Sequence, residues 1–269
     1  MITRTQRRHH RQQKTSRRKS RRRKVVNRIV ERDLIHRLSY DQYREEVRKV
    51  YGGARGAMLA RFSQLSGHLH LGDRLLRKRR FDLAGARQIL DVGSGAGQIL
   101  GHLLKYADPE ARITGIDISH AMLRRARGRL KSSRPGLITA DLARLPFANQ
   151  SFDCVTCGYV LEHLPDARTG LAEIVRVMKP HARMLLFTTE DSFGGAWTSR
   201  LWACRTYNRR EILKTCDELG LALTQELWFS RMHKLLRAGG ICIELRKRHP
   251  AGTSCETASA VPVRVDSAV

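Results

Sequence analysis

From Gln88 onward the apolar positions fall into short runs separated by stretches of helical spacing. Ile89, Leu90 and Val92 form one run, closed by glycines, and residues 113–116 form another. Leu137, Ile138 and Ala140 make a third candidate strand, residues 152–159 a fourth and 184–187 a fifth. Between them Ile99, Leu100, Leu103 and Leu104 recur as one helix face, and Ser119 is placed to cap a helix running to Leu130. Leu171, Ile174, Val175 and Met178 line a further helix, which Lys179-Pro180 should end. Asn208 with Glu211 forms a capping-box pattern ahead of Ile212, Leu213, Cys216 and Leu219. Residues 223–229 and 241–245 read as two last strands joined by a long basic connection. Strands alternating with helices in this way predict a doubly wound α/β sheet. In such a sheet the ligand sits outside the carboxyl ends of the strands, where the strand order reverses.

Upstream, the pattern changes. Val26, Ile29, Val30, Leu34, Ile35 and Leu38 recur at helical spacing among charged residues, predicting an amphipathic helix that Gly52, Gly53 and Gly56 interrupt. A second helical stretch over 57–80 leads to a turn at Gly85. Residues 1–24 show no periodicity at all. They hold 12 of the 51 Lys and Arg, no acid, and only Met1 and Ile2 as apolar residues. Such a segment has no face to bury and repels itself, so disorder is expected. The chain therefore divides into a disordered basic arm (1–24), an N-terminal helical extension (25–86), an α/β domain (87–248) and a flexible tail (249–269).

The net charge of +26 matters mainly for partners. The arm is attracted to phosphate, on RNA or on an anionic membrane surface, and equally serves as a plain solubilising tail. No apolar run reaches the ~18 residues that cross a bilayer, and residues 1–24 lack the apolar stretch of a secretory signal. Six cysteines in 269 residues are too sparse for a disulfide scaffold. The expectation is a cytoplasmic protein with reduced thiols, peripheral at a membrane surface if the arm meets anionic lipid.

The candidate chemistry lies in the loops after the strands. The first strand runs into Asp91-Val92-Gly93-Ser94-Gly95-Ala96-Gly97. Glycines there permit positive φ and let a ligand approach bare main chain. A dinucleotide fingerprint needs its third glycine at position 98, which is Gln98. The second strand ends at Asp117, whose carboxylate can accept both hydroxyls of a ribose. The third ends at Asp141, beside Leu142 and Leu145-Pro146-Phe147, an acid next to an apolar shelf that suits an adenine. Three acids at successive strand ends would repel a pyrophosphate, which argues against NAD.

These pieces, in this order, resemble the class I S-adenosylmethionine-dependent methyltransferases, of the methyltransferase type 11 kind. The matching segments are 89–97, 115–119, 140–142 with 145–147, 149–153, and Leu161-Glu162-His163-Leu164. The resemblance implies a Rossmann-like seven-stranded sheet, mostly parallel with an antiparallel C-terminal strand, preceded by N-terminal helices. It implies that Asp91, Gly93, Gly95 and Gly97 form the cradle for the methionine end of S-adenosyl-L-methionine. Asp117 and Ile118 would hold the ribose and one adenine face, Asp141 and Leu142 the adenine edge, and Cys157 would stand beside the amino group through its backbone. Leu71-Gly72-Asp73-Arg74 and residues 236–241 look like the ubiquinone/menaquinone C-methyltransferase subgroup, which implies a lipid-like acceptor. The chain departs from the family at Lys179-Pro180-His181-Ala182, where the family shows Lys-Pro-Gly-Gly. A type II turn there needs positive φ at residue 181, which His tolerates poorly, so a type I turn or a rearranged loop is expected.

Candidates for the reaction itself are His163, placed to act as a base or simply to pack the loop, and Tyr159, placed to line the methyl pocket or to end the strand. Phe193, Trp197, Trp202 and Tyr207, beside Gly194-Gly195, read either as an aromatic lid over 191–207 or as a core-packing excursion. Cys154 and Cys157 are three apart on a strand and so face opposite ways, and no second pair at zinc spacing exists, so no metal is expected. Three functions remain open at this point. One is a methyltransferase for a small-molecule or lipid-like acceptor. The others are an RNA or ribosomal-protein methyltransferase recruited by the arm, and a non-catalytic cofactor-binding subunit.

Overall fold

The computed structural model describes residues 80–164, 166–192, 195, 205–227 and 240–249, together with 41–42, 44–45, 48–49 and 75–76 of the N-terminal extension. Those extension residues are helical. The basic arm, the amphipathic pattern over 26–38, Trp197, Trp202 and residues 250–269 lie outside the described residues.

Seven strands form one sheet: β1 (Gln88–Val92), β2 (Arg112–Asp117), β3 (Gly136–Thr139), β4 (Phe152–Gly158), β5 (Met178–Thr188), β6 (Leu221–Glu226) and β7 (Ile241–Lys247). Their order is β3-β2-β1-β4-β5-β7-β6. All pairs from β3 across to β5 are parallel, and β7 runs antiparallel to both of its neighbours. The fold class implied by the sequence is therefore the one found, with the last strand as the reversed one. The order turns back on itself between β1 and β4, which makes the gap above those two strands the switch point.

Among the described residues, four helices flank the sheet: α1 (Gln98–Tyr106), α2 (His120–Leu130), α3 (Ala167–Val177) and α4 (Arg209–Glu218). The inner strands carry apolar residues on both faces because both faces are covered. On β4, Cys154 packs with Ile89, Leu100, Leu103 and Ile113 in one layer. Val155 and Cys157 pack with Leu171, Ile174 and Ile243 in the other. The two cysteines thus face opposite layers, as strand alternation requires. Caps fix the helix starts: the Ser119 hydroxyl accepts from the Met122 N–H at 3.4 Å, Asp166 accepts from Thr169 at 2.9 Å and Asn208 accepts from Arg210 at 3.0 Å.

Three boundaries differ from the sequence expectation. β5 starts at Met178, so this residue leaves the helix face predicted for it and opens a strand. The strand absorbs Lys179-Pro180-His181-Ala182 as an irregularity against β4, where Phe152 pairs with Met178 but Cys154 pairs with Arg183. His181 does take positive φ, at 62°. Its carbonyl accepts from Arg246 Nε at 3.2 Å, which holds the strained residue in place. β3 stops before Ala140, and β6 runs over 221–226 rather than 223–229, with a register shift at Leu223 that leaves this residue 44% exposed.

Gly115, in the middle of β2, is a steric requirement of the site. A Cβ there would stand 2.5 Å from Ser94 Oγ and 2.8 Å from Leu100 Cδ1, pressing on the loop after β1 and on α1. Gly115→Ala is expected to lower stability by about 1–3 kcal/mol in urea unfolding, the usual cost of overpacking.

Candidate active site

The loop after β1 is shaped by three positive-φ glycines, at 70° for Gly93, 50° for Gly95 and 79° for Gly97. Two of them serve packing. A Cβ on Gly93 would overlap Val160, and one on Gly97 would stand 3.0 Å from Ala126 and 3.2 Å from Leu130. Gly97 therefore lets α1 pack on α2, a role distinct from the cradle role the resemblance implies. Gly95 is the open one, with nothing closer than Met122 Cε at 3.6 Å. The loop is fastened to β2 twice: Ser94 N–H donates to the Ile116 carbonyl at 2.8 Å, and Gly95 N–H donates to Asp117 Oδ2 at 2.9 Å.

Asp91, Asp117 and Asp141 stand at the carboxyl ends of β1, β2 and the β3 connection, on adjacent strands. Asp91 is fully buried. Its Oδ1 accepts from the Thr156 hydroxyl at 2.6 Å, and its Oδ2 is buried with no hydrogen bond among the described residues. Burial pushes its pKa up to about 7, against the pull of the Thr156 and Ser94 hydroxyls and with a further push from the charge of Asp117. Asp117 spends one lone pair on each oxygen, Oδ2 on Gly95 and Oδ1 on the Ser119 N–H at 2.8 Å, so further acceptor capacity remains. Its pKa is also raised by burial, opposed by those two backbone donors. Asp141 accepts from the Ala143 N–H at 2.9 Å and meets Arg44 Nε at 3.2 Å.

The remaining expected positions range from half-buried to fully buried. Ile118 is half-buried beside Asp117. Leu142 is 5% exposed, its side chain in the layer that holds Leu161 and Leu164. Cys157 is fully buried on β4, in register with Val92 on one side and Leu186 on the other, and burial raises its thiol pKa well above the usual range. Tyr159 takes φ of 56° and stacks on Phe187 at 6.1 Å between centroids. His163 ends a short 3-10 turn (Leu161–His163), and desolvation drops its pKa to about 4. Tyr207 donates its hydroxyl to the Leu161 carbonyl at 2.6 Å and packs against the core, which makes it a fastening of the loop rather than a free lid residue.

Two contributors, Thr156 and Arg44, escaped the sequence reading, while Glu162 belongs to the matched segment 161–164. Thr156 is recognisable only once β1 and β4 are registered, where it lies opposite Asp91. Glu162 is fully buried and accepts from the Thr189 N–H at 2.6 Å, tying the loop after β4 to the end of β5. Arg44 comes from the N-terminal extension and reaches the third acid, a long-range contact without a local signal. The glycine loop, the unpartnered carboxylate oxygen of Asp91 and the acids beyond it suit a ligand with a cationic amino-acid end, a sugar and a purine.

Residues 90–186 match the family model described as a methyltransferase domain. The ubiquinone/menaquinone biosynthesis C-methyltransferase of Desulfotalea psychrophila is 35% identical over 139 residues, covering 48% of this chain and 56% of that protein. The demethylmenaquinone methyltransferase of Lactococcus lactis subsp. lactis is 37% identical over 115 residues, 42% of this chain and 45% of that protein. The chain thus spans about half the length of the curated relatives it matches. Magnesium protoporphyrin IX methyltransferase from Synechocystis PCC 6803, solved with bound SAH, shares the fold with a TM-score of 0.61 at 19% identity, over 76% of this chain and 99% of that one.

The buried carboxyl of Asp91 has a measurable consequence. In the unfolded chain it titrates near 3.8 and in the folded protein near 7. Between those values the folded state holds a proton the unfolded state gives up, so this group's contribution to stability falls as pH rises. Asp91→Asn should therefore melt above the wild type at pH 8 and by a smaller margin at pH 5.5. A margin that shrinks as pH rises would contradict the placement of Asp91.

Proposed function

We propose that this chain, whose residues 90–186 match a methyltransferase domain, is an S-adenosylmethionine-dependent enzyme that moves a methyl group to a small-molecule or lipid-like acceptor by in-line displacement. The observation that carries this reading is the buried Asp91, with one oxygen on Thr156 and the other without a partner beside the glycine loop. An ammonium group answers that oxygen and draws Asp91 into its ionised form. Main chain at Gly95 leaves room for the rest of an amino-acid tail. Asp117 takes the ribose hydroxyls with its spare lone pairs, Ile118 flanks the purine, and Asp141 with Leu142 holds the purine edge.

S-adenosylmethionine, when bound, supplies a methyl group on a sulfonium whose leaving group is a neutral thioether. The protein's task is then mostly positioning, because no negative leaving group has to be stabilised. His163, with a pKa near 4, stays a neutral imidazole across physiological pH, and burial keeps the Tyr159 phenol protonated. Neither presents a charge to the acceptor. Both serve as wall and orientation groups where β4 ends. The relatives named for ubiquinone/menaquinone biosynthesis and for demethylmenaquinone support a lipid-like acceptor of that kind.

A second reading, an RNA or ribosomal-protein methyltransferase, is favoured by one observation: 12 cations and no acid in residues 1–24. The two differ in where label goes. With methyl-labelled cofactor and cell extract, the leading reading places label in the organic phase, and recovery in RNA or protein would replace it. Label in no fraction would leave a non-catalytic subunit.

Cofactor binding is tested first, by calorimetry with S-adenosylmethionine, S-adenosylhomocysteine and NAD. Asp117→Ala should weaken both sulfur ligands about tenfold or more, the worth of a lost charge-assisted hydrogen bond. Tight NAD binding without a response to the sulfonium would end the proposal. The pH profile of kcat/KM should show no acidic limb between pH 8 and 6 from His163, since this ring protonates only near 4. A limb centred near 6.5 that vanishes in His163→Gln would contradict its role as a neutral wall residue.

A further inference from the structure

A separate basic feature lies toward the opposite ends of the strands from the glycine loop. α1 and α2 start above the carboxyl ends of β1 and β2, so their C-terminal ends lie near the strands' amino ends. There Lys105, Arg129, Ser132 and Arg134, over Leu104 and Leu130, line a cleft of about 550 Å³. No carboxylate is among its lining residues. The cleft is shallow and open to solvent.

Its cations are not equivalent. Arg134 is a structural cap: its guanidinium donates to the Leu104 carbonyl at 3.4 Å, the Ala111 carbonyl at 3.1 Å and the Asp108 carbonyl. Lys105 Nζ lies 5.1 Å from the centroid of the Tyr106 ring. Arg129 is different. Its Nη1 is buried and has no hydrogen-bond acceptor among the described residues. Burial lowers its pKa, with no acid acting against that effect. A long guanidinium side chain ordinarily carries its charge out to water. Holding a donor nitrogen dry and unanswered costs free energy, which an oxyanion in the cleft would offset.

We propose that this cleft binds a phosphate-class oxyanion, received by Arg129 and Lys105 with the Ser132 hydroxyl beside them. Planar guanidinium donors suit a phosphate, and the apolar flank of Leu104 and Leu130 gives its substituent a surface to lie on. The site is independent of the cofactor cradle, since it uses other residues at the other end of the helices. The group could belong to a soluble phosphate or to a phosphomonoester lipid headgroup, and the chemistry at Arg129 is the same for both.

The test uses the full chain at constant ionic strength, with inorganic phosphate and pyrophosphate as probes and thermal shift and calorimetry as readouts. Arg129→Gln and Lys105→Gln should each weaken phosphate binding about tenfold. Arg124→Gln removes the same charge from an exposed position on α2 and should leave binding unchanged. Equal affinity in wild type and Arg129→Gln, or an equal loss in Arg124→Gln, would mean diffuse attraction to a basic protein and overturn the proposal. In phosphate-free buffer Arg129→Gln should melt no lower than the wild type, because it removes a desolvated charge with nothing to pair it. A drop of several degrees would assign Arg129 to the fold instead and also overturn the proposal. Vesicles containing phosphatidic acid supply the second arm. Retention of wild type but not Arg129→Gln identifies a headgroup as the source, and binding of the soluble probes alone identifies a free phosphate.

Discussion

The hydrogen bond from the Gly95 N–H to the Asp117 carboxylate holds two strand ends together and sets the shape of everything above them. With the Ser94 N–H on the Ile116 carbonyl, it presses the loop after β1 onto the tip of β2. That arrangement needs positive φ at Gly95 and an absent side chain at Gly115, and it fixes α1 through the packing of Gly97 on α2. The same carboxylate reaches the Ser119 N–H, so one acid organises the β1 loop, the β2 end and the start of α2. A ligand that uses Asp117 therefore finds it already aimed.

Asp91 shows the opposite economy. It is fully buried, half-satisfied by Thr156 and held partly protonated near neutrality, an arrangement that costs the free protein stability. Such a group persists where function needs it, and a cationic ligand removes the cost. Around it the loop after β4 is fastened by Glu162 to Thr189 and by Tyr207 to the Leu161 carbonyl. The wall opposite the glycine loop is thus as constrained as the loop itself. Arg44 adds a contact from the N-terminal extension to Asp141, which couples that extension to the loop after β3.

The sheet was legible because buried parallel strands read as apolar runs and their ends as acids and glycines. Asp91 and Asp117 could be placed at strand tips from their spacing alone, whereas Asp141 lies two residues past the end of β3. The start of β5 could not, because Lys179-Pro180 reads as a helix stop while the bulge against β4 carries these residues into the strand. Positive φ at His181 ran against its residue type and is held by a contact with Arg246 far along the chain. Thr156 needed the strand register, Arg44 a tertiary contact and the raised pKa of Asp91 its burial, none of which a local pattern contains. Gly97 was legible as a turn residue, but its packing on Ala126 was not.

A crystal structure with S-adenosylhomocysteine tests the central claim most directly. The account places the amino-acid end against Asp91 and the loop at Gly95, the ribose on Asp117, and the purine between Ile118 and Asp141. A ligand seated elsewhere, or one that leaves the second oxygen of Asp91 without a partner, would contradict it.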